Sequence, residues 1–219
     1  MASPDEIPPT HASQQCSPAP RRMPGIRARR KAATRKLLSQ AALTLFARQG
    51  YDGTTVSEIA ATAGVTERAF FLHFPTKADA LYDLGPEDLE ELRQRILAQP
   101  PSLSDYDALC QASVAYLLSR DDPKTLHQQA QLLFRGAASS PTLRGKQFDE
   151  NQLLADVSID ALTARRGLAE PTLAIRMTAL VVLRLLHASY LEWAETGAPG
   201  DLTRMATAQF NAARDALRG

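Results

Sequence analysis

From Arg29 onward, apolar side chains recur every three or four residues, and no stretch alternates in the period-two manner of a strand. Leu38, Ala41, Ala42, Leu45 and Phe46 fall at i, i+3, i+4, i+7 and i+8, the buried stripe of a first helix that Gly50 stops. Thr55 and Glu58 have the spacing in which an N-cap hydroxyl and a carboxylate three residues later satisfy each other's free amides, so a second helix starts there. Its inner face is Val56, Ile59, Ala60 and Ala63, and Gly64 is suited to the left-handed turn that ends it. Thr66 caps a third helix running through His73 to a stop at Pro75, and a fourth runs from Lys77 to Asp83. Past Gly85 and Pro86 the pattern predicts six more helices, roughly 86–98, 103–118, 123–137, 141–165, 171–196 and 202–217. Pro123, Pro141 and Pro171 stand at or near first helical positions, where a missing amide costs nothing.

The expected fold is therefore all-α, in three parts. Residues 1–27 are rich in proline, with too little to bury for the entropy lost on ordering, and read as a flexible, basic extension. Residues 28–84 form a small helical unit, and 85–219 a larger helical one. Within the small unit, two short helices meet at a glycine turn, which is the pattern of a helix-turn-helix. Phe70 and Phe74 share one face of the third helix and are expected to pack on Leu45, Phe46 and Ile59. Phe71 is turned about 100° from Phe70 and shares the open side with Glu67, Arg68 and Leu72.

Charge sharpens this picture. The net charge of +1 hides an asymmetry: residues 21–85 hold eleven Lys or Arg against five Asp or Glu, whereas residues 86–219 hold fourteen against seventeen. Most of the excess lies in Arg21, Arg22, Arg27, Arg29, Arg30, Lys31, Arg35 and Lys36, a run without an acid. A basic arm beside a compact domain fits an anionic partner, although a solvated tail has the same composition. With only Cys16 and Cys110, no disulfide framework is suggested, and a reduced, cytoplasmic setting is expected. The most hydrophobic stretch, 178–186, is interrupted by Arg184, so no membrane association is expected.

The segment from Leu38 to Leu81 carries Ala41-Ala42 before Leu45-Phe46, Gly50-Tyr51 before Thr54-Thr55-Val56, Ile59-Ala60 before Ala63-Gly64-Val65, and His73-Phe74-Pro75 before Lys77 and Leu81. In this it resembles the N-terminal DNA-binding domain of the TetR family of transcriptional regulators. The resemblance implies an all-helical homodimer, most simply a repressor, that binds a double-stranded, near-palindromic DNA operator and holds a small-molecule effector in its C-terminal domain. By position it implies that Glu67, Arg68, Ala69 and Leu72 face base edges, while Thr55, Thr66, Phe71, His73 and Lys77 lie along phosphates. Arg29, Arg30 and Arg35 join the interface through the basic arm. Arg68 suits guanine, Glu67 suits cytosine, and Ala69 or Leu72 suits a thymine methyl. One departure is Phe71, where the family usually has a tyrosine whose hydroxyl bonds a phosphate.

Little else in the sequence suggests chemistry. No catalytic residue, cofactor or metal is assigned: there is no phosphate-loop glycine pattern, no His-Glu-x-x-His and no cysteine pair at zinc spacing. Arg184 and His187 interrupt the apolar stripe of the ninth helix and either reach solvent or meet a polar group of a bound ligand. Tyr116, His127, Phe148 and Trp193 are further pocket candidates, suited to a mildly apolar compound with one polar group. The last two helices resemble the family's dimer-forming pair; Leu202, Ala206, Phe210, Ala213 and Leu217 line one side of the final one, a stripe that an intramolecular role would also give. Other readings stay open on sequence alone: an activator, a nucleoid protein, or a helical enzyme or carrier in which the helix-turn-helix is scaffold.

Overall fold

A computed structural model describes residues 26–196 and 202–218. Most of the expected N-terminal extension, with Cys16, lies outside the described residues. The helices are α1 (Ile26–Gln49), α2 (Val56–Thr62), α3 (Glu67–Phe71), α4 (Lys77–Tyr82), α5 (Pro86–Leu97), α6 (Asp105–Arg120), α7 (Pro123–Ser139), α8 (Pro141–Arg165), α9 (Leu173–Glu195) and α10 (Leu202–Arg218). No strand occurs among the described residues.

The helix boundaries follow from side chains that satisfy orphan amides. Thr55 and Glu58 form the reciprocal cap of α2, with the Glu58 amide donating to Thr55 Oγ1 at 3.2 Å and the Thr55 amide donating to Glu58 Oε2 at 2.8 Å. Gly50 and Gly64 take φ of 78° and 71°, the left-handed region open to glycine. α3 ends at Phe71 rather than His73, because the His73 amide reaches back only three residues to the Phe70 carbonyl as the chain tightens before Pro75. α9 begins after a Thr172 cap, which leaves Pro171 outside the helix.

The core does not divide where the sequence suggests two units. One cluster joins Leu38, Phe46, Ile59, Phe70, Phe74 and Leu81 of the first four helices to Leu126 and Leu133 of α7, Leu143 of α8, and Tyr190 and Trp193 of α9. A second cluster fills the space among α5, α6, α8, α9 and α10. α9 is long and apolar enough to cross a membrane by length and composition, but Ala179, Val182, Tyr190 and Trp193 are packed inside the protein. Of the two roles open to the α10 stripe, Leu202, Ala206 and Phe210 take the intramolecular one, buried within the chain against α6 and α9. The Tyr106 hydroxyl donates to the Phe210 carbonyl at 2.8 Å and fixes that helix in place.

Phe70 and Phe74 are fully buried, with ring centroids 5.7 Å apart. A five-residue helix has almost no stability of its own. Replacing Phe70 with Ala is expected to lower the unfolding free energy by about 3–5 kcal/mol, measured by urea denaturation.

Candidate nucleic-acid interface and the cavity behind it

Anchoring through Phe70 and Phe74 fixes which side of α3 faces out. Glu67, Arg68, Phe71 and Leu72 are exposed; Leu72 shows 74% and Phe71 54% of its surface, large fractions for apolar side chains on a packed helix. Ala69 is half-buried beside them. Thr66 stands at the start of the helix and accepts the Ala69 amide at 3.2 Å. Phe71 meets Phe70 edge to face at 5.5 Å, so its ring is oriented from beneath while its outer face stays open. Thr55 lies at the exposed start of α2.

The basic arm separates into two groups. Arg27, Arg29, Arg30 and Lys31 are exposed on the first turns of α1 and make no ion pair among the described residues. Arg35 and Lys36 are tied inward instead. Arg35 Nε donates to Asp83 Oδ1 at 2.6 Å, Nη1 donates to the His73 carbonyl at 2.9 Å, and the guanidinium lies 4.3 Å from the centre of the Phe74 ring. Lys36 pairs with Asp121 at 2.8 Å. Arg35, expected at the interface, is therefore a clamp between α1, α3 and the end of α4.

Lys77 is corrected in the same way. Its ammonium donates to the Tyr51 and Thr54 carbonyls at 2.7 and 2.9 Å and sits 4.2 Å from the Tyr51 ring centre, pinning the loop between α1 and α2 instead of pointing outward. His73 is half-buried, with an Nδ1 that has no partner. Burial, and then the charges of Arg35 and Lys31, lower its pKa.

Behind this unit, α4, α6, α7, α8 and α9 line a partly open cavity of about 130 Å³. Its lining is mainly apolar, from residues such as Leu117, Leu133, Leu154, Leu183 and Leu186, with Arg120, Glu150 and His187 among the polar groups. Of the expected ligand residues only His187 lines it. Burial, followed by the Arg184 charge, lowers the His187 pKa. Tyr116 lies behind Arg120, which donates to its hydroxyl at 3.1 Å. His127 and Trp193 are core partners, with the His127 ring nitrogen 3.2 Å from the Trp193 carbonyl and the two rings edge to face at 4.8 Å. Arg184 and Phe148 are exposed and border a separate surface groove between α8 and α9, which His187 also reaches.

The cavity wall is also the end of the small N-terminal unit. Arg120 Nη2 donates to the Tyr82 and Asp83 carbonyls at 2.9 and 2.6 Å, and Gln129 donates to the Leu81 carbonyl. Asp83 ends α4 with φ of 47°, and burial pushes its carboxyl up to about 6 despite Arg35 and Arg120 nearby. Lys146 of α8 bridges Asp79 of α4 and Glu150, at 2.6 Å to each. Burial works against Asp79, yet Lys146 and Thr76 hold its carboxyl below the usual range. Sequence reasoning missed Arg120, Gln129 and Glu150, for which the only local signal was the i, i+4 spacing of Lys146 and Glu150.

This geometry defines a helix-turn-helix protein whose outward helix is free and whose small unit is built onto a helical bundle. Residues 38–81 match the family described as bacterial regulatory proteins, tetR family. The regulator TcmR of Streptomyces glaucescens is 46% identical over 56 residues, which cover 26% of this chain and 25% of TcmR. The alignment thus spans only about a quarter of that relative's length, and with AcrR of Shigella flexneri, 37% identical over 71 residues, it spans 33% of the relative. Beyond the N-terminal unit the likeness is one of fold. A crystal structure of Thermus thermophilus FadR, a transcriptional repressor in complex with lauroyl-CoA, superposes with a TM-score of 0.52 at 23% identity, covering 81% of this chain and 91% of that one.

The two kinds of basic residue are separable by mutation. Lys77→Met is expected to destabilise the protein by about 1–3 kcal/mol while leaving the salt dependence of DNA affinity unchanged. Arg30→Ala is expected to leave stability within about 0.5 kcal/mol and to reduce the slope of log affinity against log salt by about 1. Denaturation curves and salt titrations of DNA binding check both.

Proposed function

We propose that the protein is a ligand-responsive, DNA-binding transcriptional regulator, acting as a homodimeric repressor on a near-palindromic operator. The observation that carries this reading is the bare outer side of α3, where Glu67, Arg68, Phe71 and Leu72 are exposed while Phe70 and Phe74 lock the helix from beneath. No apolar face of that size is needed for folding. In this reading Arg68 donates two hydrogen bonds to guanine, Glu67 accepts from cytosine, and Leu72 touches a thymine methyl. Thr55, Thr66, Ala69 and Phe71 flank these contacts, and Arg29 and Arg30 extend them to the neighbouring backbone. Phe71 keeps the apolar contact of an aromatic there but offers no hydroxyl to a phosphate. Regulation of this kind takes place in the cytoplasm and calls for no catalysis.

A symmetric dimer places two such helices in successive major grooves, about 34–36 Å apart. With the α10 stripe buried, the surface that suits a second copy is on α9 and α8. Leu173, Met177 and Leu180, at i, i+4 and i+7, are each at least half exposed, and Phe148 of α8 shows 70% of its surface beside them. The cavity against the end of α4 suits an effector whose binding alters the separation of the two recognition helices, with a coupling of about 1–3 kcal/mol. The repressor sense follows the similar FadR, which is described as a repressor in complex with an acyl-CoA.

Selection of bound sequences from random DNA tests the reading. Two half-sites related by a dyad are expected; equal affinity for scrambled DNA would overturn specific regulation. Arg68→Ala is expected to relax preference at one base position in each half-site and to cost about 1–3 kcal/mol on the preferred sequence. Leu180→Glu places a charge in the proposed interface, and sedimentation of this variant is expected to show a monomer with lost affinity for the two-half-site operator.

A further inference from the structure

Glu150 is the unexplained group in the cavity wall. It is 5% exposed, and while its Oε1 takes the Lys146 ammonium at 2.6 Å, its Oε2 is buried with no hydrogen-bond partner. A buried carboxylate oxygen without a donor is costly, and Lys146 does not remove the cost, because the same ammonium also serves Asp79. Burial accordingly raises the Glu150 pKa, with Lys146 opposing it.

The neighbouring groups of the cavity are biased in one direction. The Tyr82 hydroxyl donates to the Leu143 carbonyl at 3.1 Å and the Tyr190 hydroxyl to the Leu126 carbonyl at 2.9 Å. Gln129 donates to the Leu81 carbonyl, and Arg120 is engaged through Nη1 with the Tyr116 hydroxyl and through Nη2 with the carbonyls of residues 82 and 83. These donors are turned into the protein, and Gln147 Nε2 meets the His187 ring at 3.3 Å, while Asn151 of the lining keeps an amide with both a donor and an acceptor and Glu150 keeps an acceptor alone. An anionic ligand would meet the Glu150 carboxylate and would have to draw Arg120 away from the end of α4. A ligand that donates has no such conflict.

We propose that the cavity selects a small, mainly apolar molecule carrying a hydrogen-bond donor, best a protonated amine, which donates to the carboxylate of Glu150. The apolar body lies against Leu154, Leu183 and Leu186, and at about 130 Å³ the space matches a single aromatic ring with a short substituent. The inference rests on reading this cavity as the effector site, and it names the chemistry of that effector. A charge-assisted hydrogen bond is stronger than a neutral one, so the amine supplies both orientation and selectivity.

Benzylamine, benzyl alcohol, toluene and benzoate, nearly equal in size, serve as probes. Their effect on the melting temperature of the full chain gives apparent Kd values without DNA. Benzylamine is expected to stabilise the wild-type chain at the lowest concentration and benzoate at the highest or not at all. Glu150→Gln is expected to weaken benzylamine roughly tenfold while changing toluene little. Lys146→Met, which removes the competing cation, is expected to tighten benzylamine. The proposal is overturned if benzylamine gives no shift, if toluene or benzoate binds the wild-type chain as tightly as benzylamine, or if Glu150→Gln binds benzylamine unchanged. Should that variant fail to fold, the ranking of the four probes on the wild-type chain decides. A chain that binds operator DNA yet shows the wrong ranking refutes the ligand class alone. One that takes benzylamine but never binds DNA specifically refutes the regulator and leaves the ligand class standing.

Discussion

The end of α4 is where this structure is most tightly constrained. A helix terminus leaves its last carbonyls without intrahelical partners, and a terminus buried between two parts of a protein has no water to supply them. Here side chains from three other helices do so. Ser39 of α1 donates to the Ala80 carbonyl, Gln129 of α7 to that of Leu81, and Arg120 of α6 to those of Tyr82 and Asp83. Arg35 then joins the Asp83 carboxylate to the His73 carbonyl just past the recognition helix. The position of α3 and the shape of the cavity are set by the same few hydrogen bonds.

This sharing gives the ligand and DNA readings a common physical basis. A molecule entering the cavity meets Tyr82 and Arg120 directly, and through Glu150 and Lys146 it is two contacts from Asp79 at the start of α4. No long chain of small displacements is needed between the sites. The short recognition helix, being held by Phe70 and Phe74 rather than by its own backbone, moves with the core in which those rings are set.

Much of the helical frame was legible in the sequence, because its signals are local. The Thr55 and Glu58 cap, the left-handed glycines at 50 and 64, and the i, i+4 pair of Phe70 and Phe74 each depend on residues within a turn or two. The misplacements share a cause. Arg35 finds its carboxylate 48 residues away, and Lys77 bonds carbonyls more than 20 residues back, so neither the charge pattern that singled out Arg35 nor the positional resemblance that singled out Lys77 could show the partner. The α10 stripe was correctly seen as apolar, but a periodic stripe does not say whether its cover belongs to the same chain. The cavity was hidden for a related reason: five helices contribute to it, and Glu150 becomes conspicuous only once its second oxygen is found without a donor.

The unbroken cluster from Leu38 to Trp193 bears on how such proteins can be recombined. A headpiece cut at residue 84 would leave Ala80, Leu81 and Tyr82 facing water and strand the guanidinium of Arg120 in the remaining bundle. Grafting a relative's headpiece onto this bundle would therefore succeed only if the graft brought carbonyls to the same places and apolar side chains of matching volume. On the proposed function, exchange of operator specificity is better sought on the outer side of α3, where residues can change without disturbing the joint.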